Sequence, residues 1–356
     1  SQILAFLLFL YLLLGVRLGK EGWLPPDLFL SLNPLAGIAT MVAARQWILP
    51  LALGALTLAL TLVLGRVWCG WICPLGTLLD WTRLPRRSRQ PSRRRSQWRQ
   101  AKYFVLFAVL FSALLGSLTL LVLDPITLLF RTIASAVLPA TYSVVTWAET
   151  LLYRFDPLQT PLERVDGFLH DTVIPLEQSF YLPALLVLAV FVAVLAFNAI
   201  RPRFWCRYLC PLGGLLGFVS RVSLVRHTVN GGACTACQRC ARTCPVQAIP
   251  QSQTFVADPA ECTLCLDCLE VCPTAAIAFR KGAPPADSVP EGMSRRQALA
   301  SVAAIGLGVG LLRLDPVIGT SKPPSLRPPG TTELDLRNKC TRCGQCINVC
   351  PTGALR

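Results

Sequence analysis

Sixteen cysteines stand in this chain, and each belongs to a spaced motif. Three runs read C-x2-C-x2-C-x3-C-P: Cys234, Cys237, Cys240 and Cys244; Cys262, Cys265, Cys268 and Cys272; Cys340, Cys343, Cys346 and Cys350. Three closely spaced thiolates can wrap one cube of iron and sulfide, and this is the ligand spacing of [4Fe–4S] clusters. The chemistry such a set supports is one-electron transfer. Zinc ribbons instead separate their C-x2-C pairs by a dozen or more residues, and disulfide frameworks suit short secreted chains of irregular spacing.

In a two-cluster unit the fourth cysteine of each run serves the neighbouring cluster. Cys234, Cys237, Cys240 and Cys272 are therefore assigned to cluster one, and Cys262, Cys265, Cys268 and Cys244 to cluster two. The third run has no partner run before Arg356. By the same logic, Cys350 should ligate a cluster whose other cysteines lie in a continuation of the chain, or the fourth ligand comes from elsewhere; truncation is the expectation.

The other four cysteines form two C-x3-C-P pairs, Cys69/Cys73 and Cys206/Cys210. A four-residue offset puts both sulfurs of a pair on one helical face. Four such thiols brought together suit an extra iron–sulfur centre or another metal, or a cycling dithiol. The bland alternative is a pair of packed cysteines at helix ends.

Absences narrow the chemistry further. The two histidines, His170 and His227, are too few for a membrane di-haem, and no C-x2-C-H motif attaches a c-type haem. No G-x-G-x-x-G or Walker motif marks a nucleotide site. His170 is a candidate quinol contact, against the plain reading of a solvated side chain.

The elements that must position these cysteines are largely apolar. The 356 residues are 53% hydrophobic with mean hydropathy +0.52. The excess falls in blocks at 3–16, 48–64, 103–123 and 181–200, which read as membrane helices. A cleaved signal peptide is the rival for the first block, but no small-residue cleavage site follows it. The first residue is not Met, so the N-terminus is expected to be incomplete.

The net charge of +15 suggests nucleic acid, but nine of the 34 Lys and Arg lie between Arg83 and Lys102. That run, flanked by apolar spans and without interleaved aromatic residues, reads as a positive-inside anchor touching anionic lipid. With it in the cytoplasm, both C-x3-C-P pairs fall on the cytoplasmic face. The segment 124–180, with seven acidic residues against three Arg, falls outside. Its apolar part, 126–153, is expected as interfacial or re-entrant helices broken at Pro139.

A weak repeat supports this layout. Leu32-Asn33-Pro34-Leu35 corresponds to Leu123-Asp124-Pro125-Ile126, and W-C-G-W-I-C-P-L-G from Trp68 corresponds to W-C-R-Y-L-C-P-L-G from Trp205. Two like halves predict a pseudo-symmetric four-helix unit. The expected domains are a membrane domain at 1–227, a two-cluster ferredoxin domain at 228–281, a linker with a fifth span at 282–315, and the start of a further ferredoxin-like domain at 316–356. Within the linker, Ser294-Arg295-Arg296-Gln297-Ala298-Leu299-Ala300 reads as an internal twin-arginine export signal, with Ala298 departing from the usual Phe or Leu. A folded cluster domain would need that route, because its metal is bound before crossing.

The doubled W-C-x2-x-C-P-L-G followed by a two-cluster unit resembles the NapH/NosR family of membrane polyferredoxins, over about residues 1–280. From Met293 the chain resembles the start of a NapG/MauM-type exported ferredoxin, with C-T-R-C-G-Q-C after a Pro-rich stretch. The resemblance implies an α-helical membrane protein with α+β bacterial-ferredoxin-like domains. It further implies [4Fe–4S] clusters at the matching cysteines, three or more with the last run. It places the chain in a bacterial inner-membrane respiratory complex, relaying electrons between quinol and a periplasmic reductase, dehydrogenase or cytochrome, with other subunits doing the substrate chemistry. The two-cluster domain is then cytoplasmic and the last run periplasmic. An assembly or metal-reducing factor, and a redox sensor, are the alternatives. An outer flavin-binding domain of the NosR kind is missing.

Overall fold

Runs of Leu, Ala, Val and Phe without interior charge favour helix wherever no Pro or Gly interrupts them. The computed structural model describes residues 2–17, 24–25, 28–82, 98–152, 182–250 and 255–281. Helices occur at all four apolar blocks: Gln2–Arg17, Gly54–Leu64, Ala101–Leu114 and Leu182–Ile200. They hold 16, 11, 14 and 19 residues. At 1.5 Å per residue these reach about 16–29 Å, short of the roughly 30 Å hydrocarbon layer.

Two further apolar helices, Pro34–Ala44 and Pro211–Val219, pack with Gly54–Leu64 and Ala101–Leu114. Pro34–Ala44 begins at a proline, and the Asn33 side chain caps it by accepting from the Leu35 and Ala36 N–H groups at 3.1 and 3.3 Å. The same amide donates to the Asp124 carboxylate at 2.7 Å, so the two residues that open the halves of the repeat are bonded to each other.

Among the described residues, one helix is long and apolar enough to cross a membrane, Pro125–Ala148 with 24 residues. It occupies the segment expected to be interfacial and broken at Pro139. The break is absent, because the helix runs on through Pro139 to Leu152. A π-helical turn, Ile133–Val137, immediately precedes that proline. The wider turn makes room for a ring that cannot donate a hydrogen bond and that clashes with a tight preceding turn.

The described residues fall into two compact units. One gathers Ser1–Leu7, Phe29–Ile126 and the chain from Val194 through the ferredoxin-like part. The other gathers the described residues of 8–28 and 127–193. The ferredoxin-like part opens and closes with β1 (Val225–Val229) and β2 (Ile277–Lys281), antiparallel, with His227 opposite Phe279 and Val229 opposite Ile277. Pairing starts at Val225, three residues before the boundary at 228, because Arg226 and His227 are buried polar residues that mask the strand's alternation. Beneath the ribbon lies a small core of Ala241, Val246, Ile249, Phe255 and Cys268. The third cysteine run, the twin-arginine segment, His170 and most of the Arg-rich run lie outside the described residues.

Candidate iron–sulfur centres

Within the ferredoxin-like part, the two cysteine runs trace the same backbone path. Ala236 and Gln238 in the first run have φ of 53° and 59°, and Leu264 and Leu266 at the same offsets in the second have 50° and 69°. Gln247 and Ala275, each three residues past the last cysteine of its run, repeat the pattern at 50° and 47°. A left-handed non-glycine residue costs about 1–2 kcal/mol, so six in matching places mark a loop held to a purpose. Alternating αR and αL residues turn successive N–H groups inward, which suits an anion.

The loops enclose two cavities. One is lined by Cys234, Cys237, Cys240 and Cys272, the other by Cys244, Cys262, Cys265 and Cys268. Each cavity thus takes three cysteines from one run and the fourth from the other. The Ala248 N–H donates to the Cys244 sulfur at 3.3 Å. Burial pushes the Cys262 and Cys268 thiols up to about 12 and Cys265 up to about 11. Cys237 is fully exposed, and the Arg239 N–H lowers its thiol. Among the described residues no three His, Cys, Asp or Glu side chains stand close enough to hold a single metal ion. Four cysteines lining each cavity and the inward N–H groups of the loops fit a four-iron cluster.

The C-x3-C-P pairs meet at a second locus. Each ends a short helical turn, Trp68–Ile72 or Phe204–Tyr208, and its second cysteine caps the helix starting at the following proline. The two caps are near-identical, with Cys73 at φ −64°, ψ 115° and Cys210 at φ −65°, ψ 112°. The Gly213 N–H donates to the Cys210 sulfur at 3.2 Å. Glycine closes each C-P-L-G because a Cβ at Gly76 would lie 3.1 Å from the Cys69 carbonyl oxygen, and one at Gly213 3.3 Å from that of Cys206. All four cysteines are buried. Burial drives Cys73 and Cys210 well above the usual thiol range and Cys206 up to about 11, with Arg203 pulling Cys206 back. Forming thiolates here needs positive charge at the sulfurs.

That charge surrounds them. Arg66, Arg203 and Arg207 are each no more than 2% exposed. Arg66 reaches the Cys69 sulfur at 3.9 Å, and Arg203 donates to the Cys69 carbonyl at 3.3 Å and pairs with Asp80. Buried Lys102 bonds Glu261 at 2.6 Å, with Arg66 3.8 Å from the same carboxylate. Four buried cations thus stand against Asp80, Glu261 and the buried Asp124, whose charge also reaches Cys73, a surplus of one positive charge. Arg66 Nε, Arg207 Nε and Nη1, and the indole nitrogens of Trp68 and Trp205 are buried donors without a protein acceptor. Each such group costs about 1–3 kcal/mol, more when charged. An anionic group rich in sulfur, such as a [4Fe–4S] core with four thiolates, suits a site with surplus cations and unpaired donors.

The sequence reading missed the arginines, although a signal was present. The repeat extends two residues upstream of each tryptophan, as Arg66-Val67-Trp68-Cys69 and Arg203-Phe204-Trp205-Cys206. The missed contact is larger still, since the four-cysteine locus is docked on the cluster-two loop. Arg66 donates to the Ala260 carbonyl at 2.8 Å, Trp71 to Leu264 at 2.8 Å and Ser220 to Pro259 at 2.9 Å.

Comparison with known proteins agrees with these sites. A 4Fe-4S binding domain model matches 46–92 and 183–228, the stretches that carry the C-x3-C-P pairs. A 4Fe-4S dicluster domain model matches 233–276, and a further 4Fe-4S binding domain model matches 336–356. The chain is an iron–sulfur protein with at least two [4Fe–4S] clusters.

Its relatives sharpen that class. YccM of Escherichia coli is 28% identical over 64% of this chain and 54% of its own length. The methylamine utilization ferredoxin-type protein MauN of Paracoccus denitrificans is 26% identical over 55% of this chain and 54% of itself. The regulatory protein NosR of Pseudomonas aeruginosa is 28% identical over 64% of this chain but 28% of itself. The chain is similar to these NapH/NosR-type ferredoxin proteins. It spans about half the length of YccM and MauN. No solved structure matches it.

Proposed function

We propose that this chain is a membrane electron relay between the quinone pool and a periplasmic oxidoreductase, with a third redox centre held by Cys69, Cys73, Cys206 and Cys210. Bound clusters supply one-electron chemistry, and the protein's part is to hold them in series. Cys234, Cys237, Cys240 and Cys272 hold cluster one, Cys262, Cys265, Cys268 and Cys244 hold cluster two, and Cys340, Cys343, Cys346 and Cys350 serve a further cluster.

The observation that carries this reading is the docking of the four-cysteine locus on the loop 259–264. Gly70 lies so close to that loop that a Cβ there would sit 2.1 Å from the Thr263 carbonyl oxygen. Thr263 follows the cluster-two cysteine Cys262 directly. Backbone-to-backbone approach of this kind shortens the gap an electron must cross. It also speaks against a factor that hands metal to a partner, since thiols so deeply covered have no open face.

The meeting of the two pairs bears on topology as well. In this reading the chain between Cys73 and Cys206 crosses the membrane an even number of times, once over 101–123, where the turn Thr119–Leu123 prolongs the helix Ala101–Leu114, and once over 182–200. In this reading Pro125–Ala148 lies along the outer interface or is matched by a return.

The test is reduction by quinol. The chain is purified anaerobically in lipid, a menaquinol analogue is added, and cluster signals are followed by low-temperature EPR. Reduction by the quinol is the expected result. Clusters that respond to dithionite alone would mean that this chain does not draw on quinol by itself.

A further inference from the structure

His227 is the one described residue that lines a cluster cavity with a buried side-chain donor left unpaired. It is 5% exposed and lies on the wall of the cavity that holds Cys244, Cys262, Cys265 and Cys268. The Ala257 N–H donates to its Nδ1 at 3.3 Å. That bond makes Nδ1 the acceptor, so the proton of the neutral ring sits on Nε2. Burial holds the imidazole down to about 4, which keeps it neutral near pH 7. Nε2 is buried and has no partner in the protein. Phe279 meets the ring edge-on at 5.5 Å between centroids and fixes its tilt.

The other half of the pseudo-symmetric domain supplies a natural comparison. His227 stands seven residues before Cys234, and Phe255 stands seven residues before Cys262. Each ring lines the cavity that takes three cysteines from the opposite run: His227 that of cluster two, Phe255 that of cluster one. The slot is the same in both halves, filled by a hydrocarbon in one and by an N–H donor in the other.

We infer that His227 donates a hydrogen bond from Nε2 to a sulfur of cluster two and thereby sets that cluster's potential above the value its fold alone would give. The inference rests on the ligand set proposed above for cluster two. Reduction adds one negative charge to a cluster, and a donor aimed at its sulfur favours the more negative state. His227 thus acts on potential through the cluster and is not a ligand. Cluster one, facing Phe255, has no such donor in its ring slot. Electrons resting in the domain therefore favour the cluster beside the four-cysteine locus.

The experiment is an anaerobic redox titration of the full chain in lipid, read by EPR, with Cys237→Ala used to mark which step belongs to cluster one. His227→Phe, which makes the two slots alike, is expected to weaken electron uptake by cluster two about tenfold, equal to 59 mV for one electron, and to leave cluster one unmoved. His227→Gln, which keeps an N–H donor, is expected to recover part of that shift. A midpoint for cluster two that does not move in His227→Phe, with both clusters assembled, overturns the inference. Should the Phe variant fail to assemble cluster two, His227→Gln and His227→Met are compared, and equal potentials in those two overturn it. If Cys244→Ser leaves both clusters intact, it is the ligand set that has failed.

Discussion

Arg66 and Arg203 occupy equivalent places in the two halves, three residues before Cys69 and Cys206, and each ties its cysteine pair to the cluster-two loop. Their neighbour Lys102 does the same from another helix, fully buried against Glu261 at 2.6 Å. Removing one partner of a buried ion pair leaves an uncompensated charge and costs about 3–5 kcal/mol, whereas neutralising both costs far less. Arg66 stands 3.8 Å from the same carboxylate and relieves only part of that penalty. Lys102→Met is therefore expected to destabilise the chain by about 3 kcal/mol or more, and the Lys102→Met, Glu261→Gln double variant to win back most of it. Denaturant unfolding of the detergent-solubilised protein reads both. A single variant within about 1 kcal/mol of the parent would mean that the pair carries no weight.

At the scale of elements, the docking surface is built from backbone as much as from side chains. The Trp68–Ile72 turn presents Gly70 to the Thr263 carbonyl, and Trp71 donates to the carbonyl of Leu264. Gly70→Ala forces that carbonyl to move, an overpacking cost of about 1–3 kcal/mol. Amide exchange across 259–266 is expected to quicken about tenfold or more. Gly231→Ala, whose Cβ meets nothing within 4 Å, is expected to leave it unchanged. Equal exchange in the two variants would refute the docking. This surface was not legible in the sequence, because carbonyl acceptors at Pro259, Ala260 and Leu264 carry no residue signature. The cysteines were legible because metal ligation fixes both residue type and spacing. The buried arginines were hidden for the opposite reason: Arg beside an apolar helix ordinarily reads as a topology signal. Pro139 misled because a preceding π-turn absorbs it, and no residue pattern announces such a turn.

Across the whole molecule, charge and cysteine placement bear on sidedness. The run between Arg83 and Lys102 holds nine basic residues and directly precedes the helix Ala101–Leu114. In the proposed topology such a loop stays in the cytoplasm. The adjoining four-cysteine locus and the ferredoxin-like part docked on it then share that face. The last cysteine run follows Arg295-Arg296 and an apolar stretch at 299–312, which would carry Cys340 to Cys350 outward. A conduit needs redox centres on both faces, whereas a sensor or an assembly factor needs them on one. Reporters fused after residue 281 and after residue 330 discriminate between these cases. An enzyme active only in the cytoplasm should work at the first point, and one active only in the periplasm at the second. Two cytoplasmic signals would leave the last cluster beside the others, and the outward path to a periplasmic partner would be lost with it.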